Sequence, residues 1–192
     1  MNKFTSLFFG ITLSAGLMQS SAQMVVSTST YTVPDPATSL VNNVLLGTGV
    51  TASNIVFTPG ASANAQIGYF NGSNSNIGLD SGIVLSTGNV LDAMPNSFVG
   101  GTFGGMMNYP DLLNVANSVP PLIGQSFTVS DVNDVAVLEF DFVPASDTVK
   151  FRYVFASDEY TSWINSTYND VFGFFISGPG ITGPYAGNSK NI

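Results

Sequence analysis

Residues 149–180 read VKFRYVFASDEYTSWINSTYNDVFGFFISGPG, and the fold turns on how this stretch is parsed. Two apolar runs, 149–156 and 171–177, flank a polar loop. In the first, Val149, Phe151, Tyr153 and Phe155 alternate with Lys150, Arg152 and Val154. A period of two is the pattern of a strand with one covered face. The second begins VFGFFI, apolar on both faces, which predicts a central strand covered on each side. Between them lie Asp158, Glu159, Asn165, Asn169 and Asp170, together with the single tryptophan, Trp163. The layout is a sheet with an oxygen-rich rim.

The run just upstream supplies a partner. Over residues 135–143, Ala136, Leu138, Phe140 and Phe142 alternate with Val137, Glu139 and Asp141. A hairpin through the loop 144–147 pairs residues whose numbers sum to 291. Asp141 then faces Lys150 and Glu139 faces Arg152, while Phe140 meets Phe151 and Leu138 meets Tyr153. One register satisfies both faces, which is how register is specified. Each exposed ion pair is worth less than about 1 kcal/mol.

Earlier in the chain, residues 24–33 suit an extended first strand. Asp35-Pro36 marks a helix start, with Asp as N-cap and Pro at the first helical position. Leu40, Val41, Val44 and Leu45 follow at helical spacing, so a short helix is expected over about 36–46 with Gly47 as its stop. Gly47-Thr48-Gly49-Val50-Thr51-Ala52 formally matches a dinucleotide fingerprint, but it follows a helix and precedes a strand, the reverse of the required order. It reads as a turn. Strands are expected over 53–58, 65–70 and 82–87, separated by Gly/Asn/Ser/Pro turns. Residues 92–111 form an irregular Gly/Met/Asn-rich excursion whose paired glycines lack a following Gly-Lys-Ser/Thr, and 110–117 suits a short turn of helix. The fold class expected is mainly β: an antiparallel β-sandwich or jelly-roll-like sheet with one short N-terminal helix. Residues 181–192 offer no clear strand, and a sheet ending this way looks unfinished, as in the N-terminal piece of a longer polypeptide.

The first 23 residues carry Lys3, an apolar run over 4–18 and a Ser-Ser-Ala-Gln end, the pattern of a secretory signal peptide too short to span a bilayer. The domain is therefore expected over 24–192, with three basic and twelve acidic residues and a net charge of −9. Such a chain is repelled by phosphate backbones and anionic surfaces, which argues against nucleic-acid partners and against membrane insertion once the signal is removed. Cysteine and histidine are both absent. That excludes disulfides, Cys/His zinc sites, Cys nucleophiles and every Ser-His or Cys-His triad.

If 149–156 and 171–177 are antiparallel neighbours, Asp158 and Glu159 come near Asn169 and Asp170. No Lys or Arg lies between 153 and 189 to neutralise them. Clustered hard oxygens suit Ca²⁺, which takes six to eight such ligands. The competing reading is that Asp158, Asn169 and Asp170 cap turns. Adjacent carboxylates in an extended segment point to opposite faces, so Asp158 and Glu159 are poorly placed as a glycosidase pair. Tyr160, Trp163 and Tyr168 suit stacking on sugar rings or anchoring a protein, or else folding inward as a lid. Asn71-Gly72-Ser73 and Asn165-Ser166-Thr167 match the N-glycosylation pattern, as chance allows in so Asn- and Ser-rich a chain.

Three stretches, DVAVLEFDF at 134–142, FRYVFASDEY at 151–160 and NDVFGFFISGPG at 169–180, with the earlier GIVLSTG at 82–88, resemble choice-of-anchor L domains. Asp158 departs from the more usual Ser-Glu-Glu-Tyr while keeping the carboxylate. The resemblance implies a secreted bacterial surface domain, common in Bacteroidota, at the N-terminal end of large proteins that carry repeats and a C-terminal module for anchoring or type IX secretion. It brings no catalytic residues. The function expected is a non-enzymatic cell-surface module in adhesion or surface assembly, stabilised by calcium, with an extracellular protein or glycan as partner. The alternative is a carbohydrate-binding module using the loop aromatics.

Overall fold

The computed structural model describes residues 23–28, 36–60, 65–94, 109–157, 161, 163–164, 166 and 170–192. Of the expected signal segment 1–23, residues 1–22 lie outside them. Among the described residues seven strands and two α-helices are formed: β1 (Val25–Ser27), α1 (Pro36–Leu40), β2 (Val50–Pro59), β3 (Ile67–Asn71), β4 (Ser81–Leu85), α2 (Pro110–Leu122), β5 (Ala136–Pro144), β6 (Phe175–Ile176) and β7 (Lys190–Asn191).

All strand pairing is antiparallel and is divided among three small sheets, β1-β3-β4, β2-β5 and β6-β7. The expected antiparallel pairing is present, but the architecture mixes strand and helix and is not mainly β. No two-sheet sandwich or jelly roll is formed by the described residues, and a second helix of 13 residues joins the expected short one.

Pro36 opens α1, which passes directly into a π-helical turn, Val41–Leu45, so the helix closes where the spacing of Leu40, Val41, Val44 and Leu45 places it. Ala37, Leu40 and Val41 face inward. Gly49 then turns the chain at φ +89, a region glycine enters without the Cβ clash. The Gly47–Ala52 stretch is thus the helix-to-strand turn read from its order.

In β2 the inward side chains change parity. Ser53 pairs with Asp141 and Val56 with Glu139, so Asn54 and Ile55 together oppose Phe140. Asn54 takes φ +51 and donates from Nδ2 to Asp141 Oδ2 at 2.7 Å. Asparagine enters the left-handed region more readily than most residues, and here it takes up the extra residue of a bulge. Ile55 and Phe57 consequently turn inward, against Leu40 of α1, Ile67 and Ile83 of β3-β4, and Leu138 of β5. A second cluster gathers Val26, Phe70 and Val90.

One buried knot fixes where β5 begins. Gln66 is fully buried and donates from Nε2 to Asp134 O (2.8 Å) and Thr87 O (3.2 Å). Asp134, also buried, takes φ +51, and Gly60 packs so closely that a Cβ there would lie 2.7 Å from Val135 N.

The hairpin expected between 135–143 and 149–156 is not formed. The ladder partner of β5 is β2, distant in sequence, and the pairing runs on through Ala145 N, which donates to Gly49 O at 2.7 Å. Asp141 is engaged by Asn54, and Arg152 donates to Gly78 O. The ion pairs that recommended the hairpin are exposed and weak, whereas the rings on 149–156 find aromatic partners elsewhere. Nor is 171–177 a buried central strand: Phe172 is 40% exposed and only Phe175 and Ile176 pair, with β7. The C-terminal residues do contribute a strand, because Asn191 Oδ1 accepts from Phe174 N at 2.9 Å and Ile192 N donates to Phe174 O at 2.9 Å.

Candidate functional site

Alternation along 149–156 puts Phe151, Tyr153 and Phe155 on one side of an extended segment. Those rings meet Phe172 and Phe174. Phe151 lies 4.5 Å from Phe174 between ring centroids, Tyr153 lies 5.5 Å from Phe172 and 5.3 Å from Phe174, and Phe155 lies 5.8 Å from Phe172. Partners rise in one segment as they fall in the other, so the two run antiparallel, the juxtaposition expected from the sequence. These spacings are those of favourable tilted and edge-to-face pairs.

At the end of this ladder Ser157 Oγ donates to Asp170 Oδ2 at 2.5 Å. The bond joins the residue entering the polar loop to the residue leaving it, so the loop is closed at its base. Asp170 is exposed, with a second carboxylate oxygen for another partner. Behind it, Val119 and Pro120 of α2 with Ile123, Phe127 and Val171 line a small cavity of about 70 Å³ that Asp170 borders. Asn117 holds that region together, donating to Val129 O (3.0 Å) and accepting from Val129 N (2.8 Å), as a strand partner would.

Of the expected binding aromatics, Trp163 stands in a turn with 49% of its surface exposed, its carbonyl accepting from Ser166 N at 3.1 Å. Tyr160 and Tyr168 lie outside the described residues. Of the expected calcium ligands, Asp170 is placed as above, while Asp158, Glu159 and Asn169 lie outside the described residues, as does Asn165. Among the described residues no group of three or more His, Cys, Asp or Glu side chains is gathered. Asn71 uses its side chain locally: Oδ1 accepts from Ser73 N (3.1 Å) and Ser73 Oγ (2.7 Å).

Two features went unread in the sequence. Ser157 was not singled out, because a serine after a strand carries no mark of its distant carboxylate partner. Alternation predicts a covered face for the rings of 151–155, whereas Phe151, Tyr153 and Phe155 are 46%, 59% and 51% exposed.

Tyr109, half-buried before α2, has its phenol pushed above its ordinary value of 10.0, by burial first and then by the nearby carboxylates of Glu139 and Asp111. Asp111 in turn accepts from Ala186 N through both carboxylate oxygens (3.2 and 3.1 Å), tying the first turn of α2 to the C-terminal segment.

Small antiparallel sheets accompanied by two helices define a mixed domain, in which Ser157 and Asp170 join the two ends of an acidic stretch of sequence. The family model of the choice-of-anchor L domain matches residues 25–192. The chain belongs to that family, and so is a domain of anchored surface proteins. No helix among the described residues is long and apolar enough to cross a membrane. No curated protein and no solved structure matches the chain.

Proposed function

We propose that the chain is a non-enzymatic extracellular module for adhesion or cell-surface assembly, exported through its N-terminal signal and forming the N-terminal part of a larger protein anchored through type IX secretion. The loop between Ser157 and Asp170 is its contact rim. The observation that carries this reading is the closure of the loop base by the Ser157–Asp170 hydrogen bond beneath a ladder of five rings. A loop with fixed ends loses less conformational freedom on binding, which favours recognition. Beads coated with the chain are expected to be retained on bacterial cell surfaces, and replacing 158–169 by a Gly-Ser linker to abolish retention. Equal retention by the replaced loop would sink the proposal.

Calcium fits the rim through Asp158, Glu159, Asn169 and Asp170, a set of hard oxygens with no cation in the loop. Asp170 is exposed and its one described partner is a neutral hydroxyl, as suits a carboxylate retained for a cation. Melting temperature is expected to be higher in calcium than in chelator, and the difference to vanish in Asp158→Asn plus Asp170→Asn. Superimposable curves would remove calcium from the reading.

The half-exposed Trp163 favours a second reading, a carbohydrate-binding surface shared with Tyr160 and Tyr168. A glycan array probed with the chain and its Trp163→Ala variant separates the two. Sugar binding that ignores Trp163, or none, excludes this second reading.

A further inference from the structure

Among the described residues two strand edges are left open. β5 is hydrogen-bonded along one side, to β2. Among the described residues, 149–156 makes no backbone–backbone hydrogen bond although it is extended, and it is exposed from end to end. Open edges with unpaired N–H and C=O groups are templates for another strand.

The two edges are also complementary. At the register in which numbers sum to 291, Glu139 and Asp141, both exposed, face Arg152 and Lys150, while Phe140 and Phe142 meet Phe151 and Val149. Within one chain this pairing is not made. The rings of 149–155 are held against Phe172 and Phe174, Arg152 is held to Gly78 O, and the intervening Ser146, Asp147 and Thr148 bond to one another. The complement that β5 lacks in its own chain is present in every other copy.

We propose that two copies of this chain associate by reciprocal strand addition, β5 of one copy pairing antiparallel with residues 149–156 of the other. Each copy supplies both edges, so the contact is isologous and closes as a two-fold dimer. The sheet then runs β2, β5 and the partner's 149–156, whose rings lie against the partner's Phe172 and Phe174. Phe140 and Phe142 extend the exposed ring ladder of the partner, and four charge pairs, two per copy, select the register. Neither Asp141 nor Arg152 must abandon its present bond, since a carboxylate accepts at several sites and a guanidinium carries five N–H donors. The proposal goes beyond the adhesion reading and does not depend on the loop.

The chain contains no cysteine, so introduced pairs report without background. Facing residues in an antiparallel pair have Cα atoms about 4.5–5.5 Å apart, within disulfide reach. Oxidised Glu139→Cys/Arg152→Cys and Asp141→Cys/Lys150→Cys chains are each expected to run as covalent dimers on a non-reducing gel. Light scattering of the unmodified chain is expected to give twice the monomer mass. Lys150→Glu plus Arg152→Glu is expected to weaken the dimer about tenfold or more, with recovery when Glu139→Lys and Asp141→Lys are added. A cross-link confined to monomers would show pairing within one chain and overturn the proposal. So would a chain monomeric at all concentrations, or a dimer in which neither cysteine pair cross-links.

Discussion

Phe174 is the ring on which the choice of neighbour for 149–156 is decided, and its truncation is the most discriminating perturbation. It is half-buried and stands 4.5 Å from Phe151, 5.3 Å from Tyr153 and 4.8 Å from Phe172. Each such pair contributes about 0.5–1.5 kcal/mol beyond area burial. Three partly exposed pairs place the cost of Phe174→Ala at about 2 kcal/mol, a large share of the 5–15 kcal/mol by which domains are stable. Phe174→Leu keeps most of the apolar area and is expected to recover about half of the loss. The sharper quantity is a double-mutant cycle between Phe151→Ala and Phe174→Ala, read from urea unfolding at low protein concentration. A coupling of about 1 kcal/mol is expected for rings in contact. The matching cycle between Glu139→Ala and Arg152→Ala is expected to show none under these conditions, because those residues do not meet within one chain. Additivity within about 0.3 kcal/mol for the aromatic pair, with coupling for the charged pair, would refute the arrangement and restore the local hairpin.

Three further outcomes follow from particular contacts. Gln66→Leu removes a buried hydrogen bond to Asp134 O and a part-buried one to Thr87 O, and is expected to cost about 1–3 kcal/mol by chemical denaturation, with a loss below 0.5 kcal/mol counting against the knot at Asp134. Gly60→Ala places a methyl against the backbone of Val135 and is expected to cost about 1–3 kcal/mol, where an unchanged midpoint would show that the segment gives way. The phenol of Tyr109 holds its proton more tightly in the folded chain than in the unfolded one, so this contribution to stability is intact below pH 10.0 and declines as pH rises above it. Tyr109→Phe is therefore expected to flatten the alkaline limb of the melting-temperature profile, and an unaltered limb would assign that loss to other groups.

What could be read from the sequence was whatever is determined locally. Pro36 with the spacing of Leu40, Val41, Val44 and Leu45 placed α1 and its π-helical end, and strands β2 to β5 fall on runs recognisable by alternation and turn residues. Pairing was not local. β2 and β5 are some eighty residues apart, and the bulge at Asn54 breaks the alternation by which β2 would advertise its register. α2 continues to Leu122 through Pro120 and Pro121, residues that ordinarily stop a helix; they fall in its last turn, where few hydrogen bonds remain to be lost. β7 is a Lys-Asn dipeptide with no apolar pattern, made a strand by the side chain and flanking backbone of Asn191. For the rim, the acidic loop was legible because its oxygens fall within thirteen consecutive positions, 158–170, that hold no Lys or Arg. Its clasp was not, since Ser157 and Asp170 become partners only when the two segments align.

That alignment separates two kinds of surface on one element. The loop departs from the end of 149–157, whereas the charges that would select a partner strand, Lys150 and Arg152, lie along its edge. From Arg152 to Ser157 is five extended residues, about 16 Å. The Debye length at physiological ionic strength is about 8 Å, so a cation bound at the loop is largely screened from the edge. The other route is mechanical, through the ring ladder, whose Phe155–Phe172 contact lies two residues from the clasp on each segment. The two routes make different demands. If calcium acts on the loop alone, it raises the melting temperature and leaves the dimer dissociation constant unchanged, and Asp170→Asn removes the first effect only. If the ladder transmits, calcium tightens the dimer as well, and Phe172→Ala severs that link while the charge pairs at 139–152 and 141–150 persist. The Ser157 clasp is common to both routes, so Ser157→Ala is expected to reduce the calcium response in either case. The titration of dimer against calcium in the Phe172→Ala chain is what distinguishes a module with two independent faces from one whose rim and edge are linked.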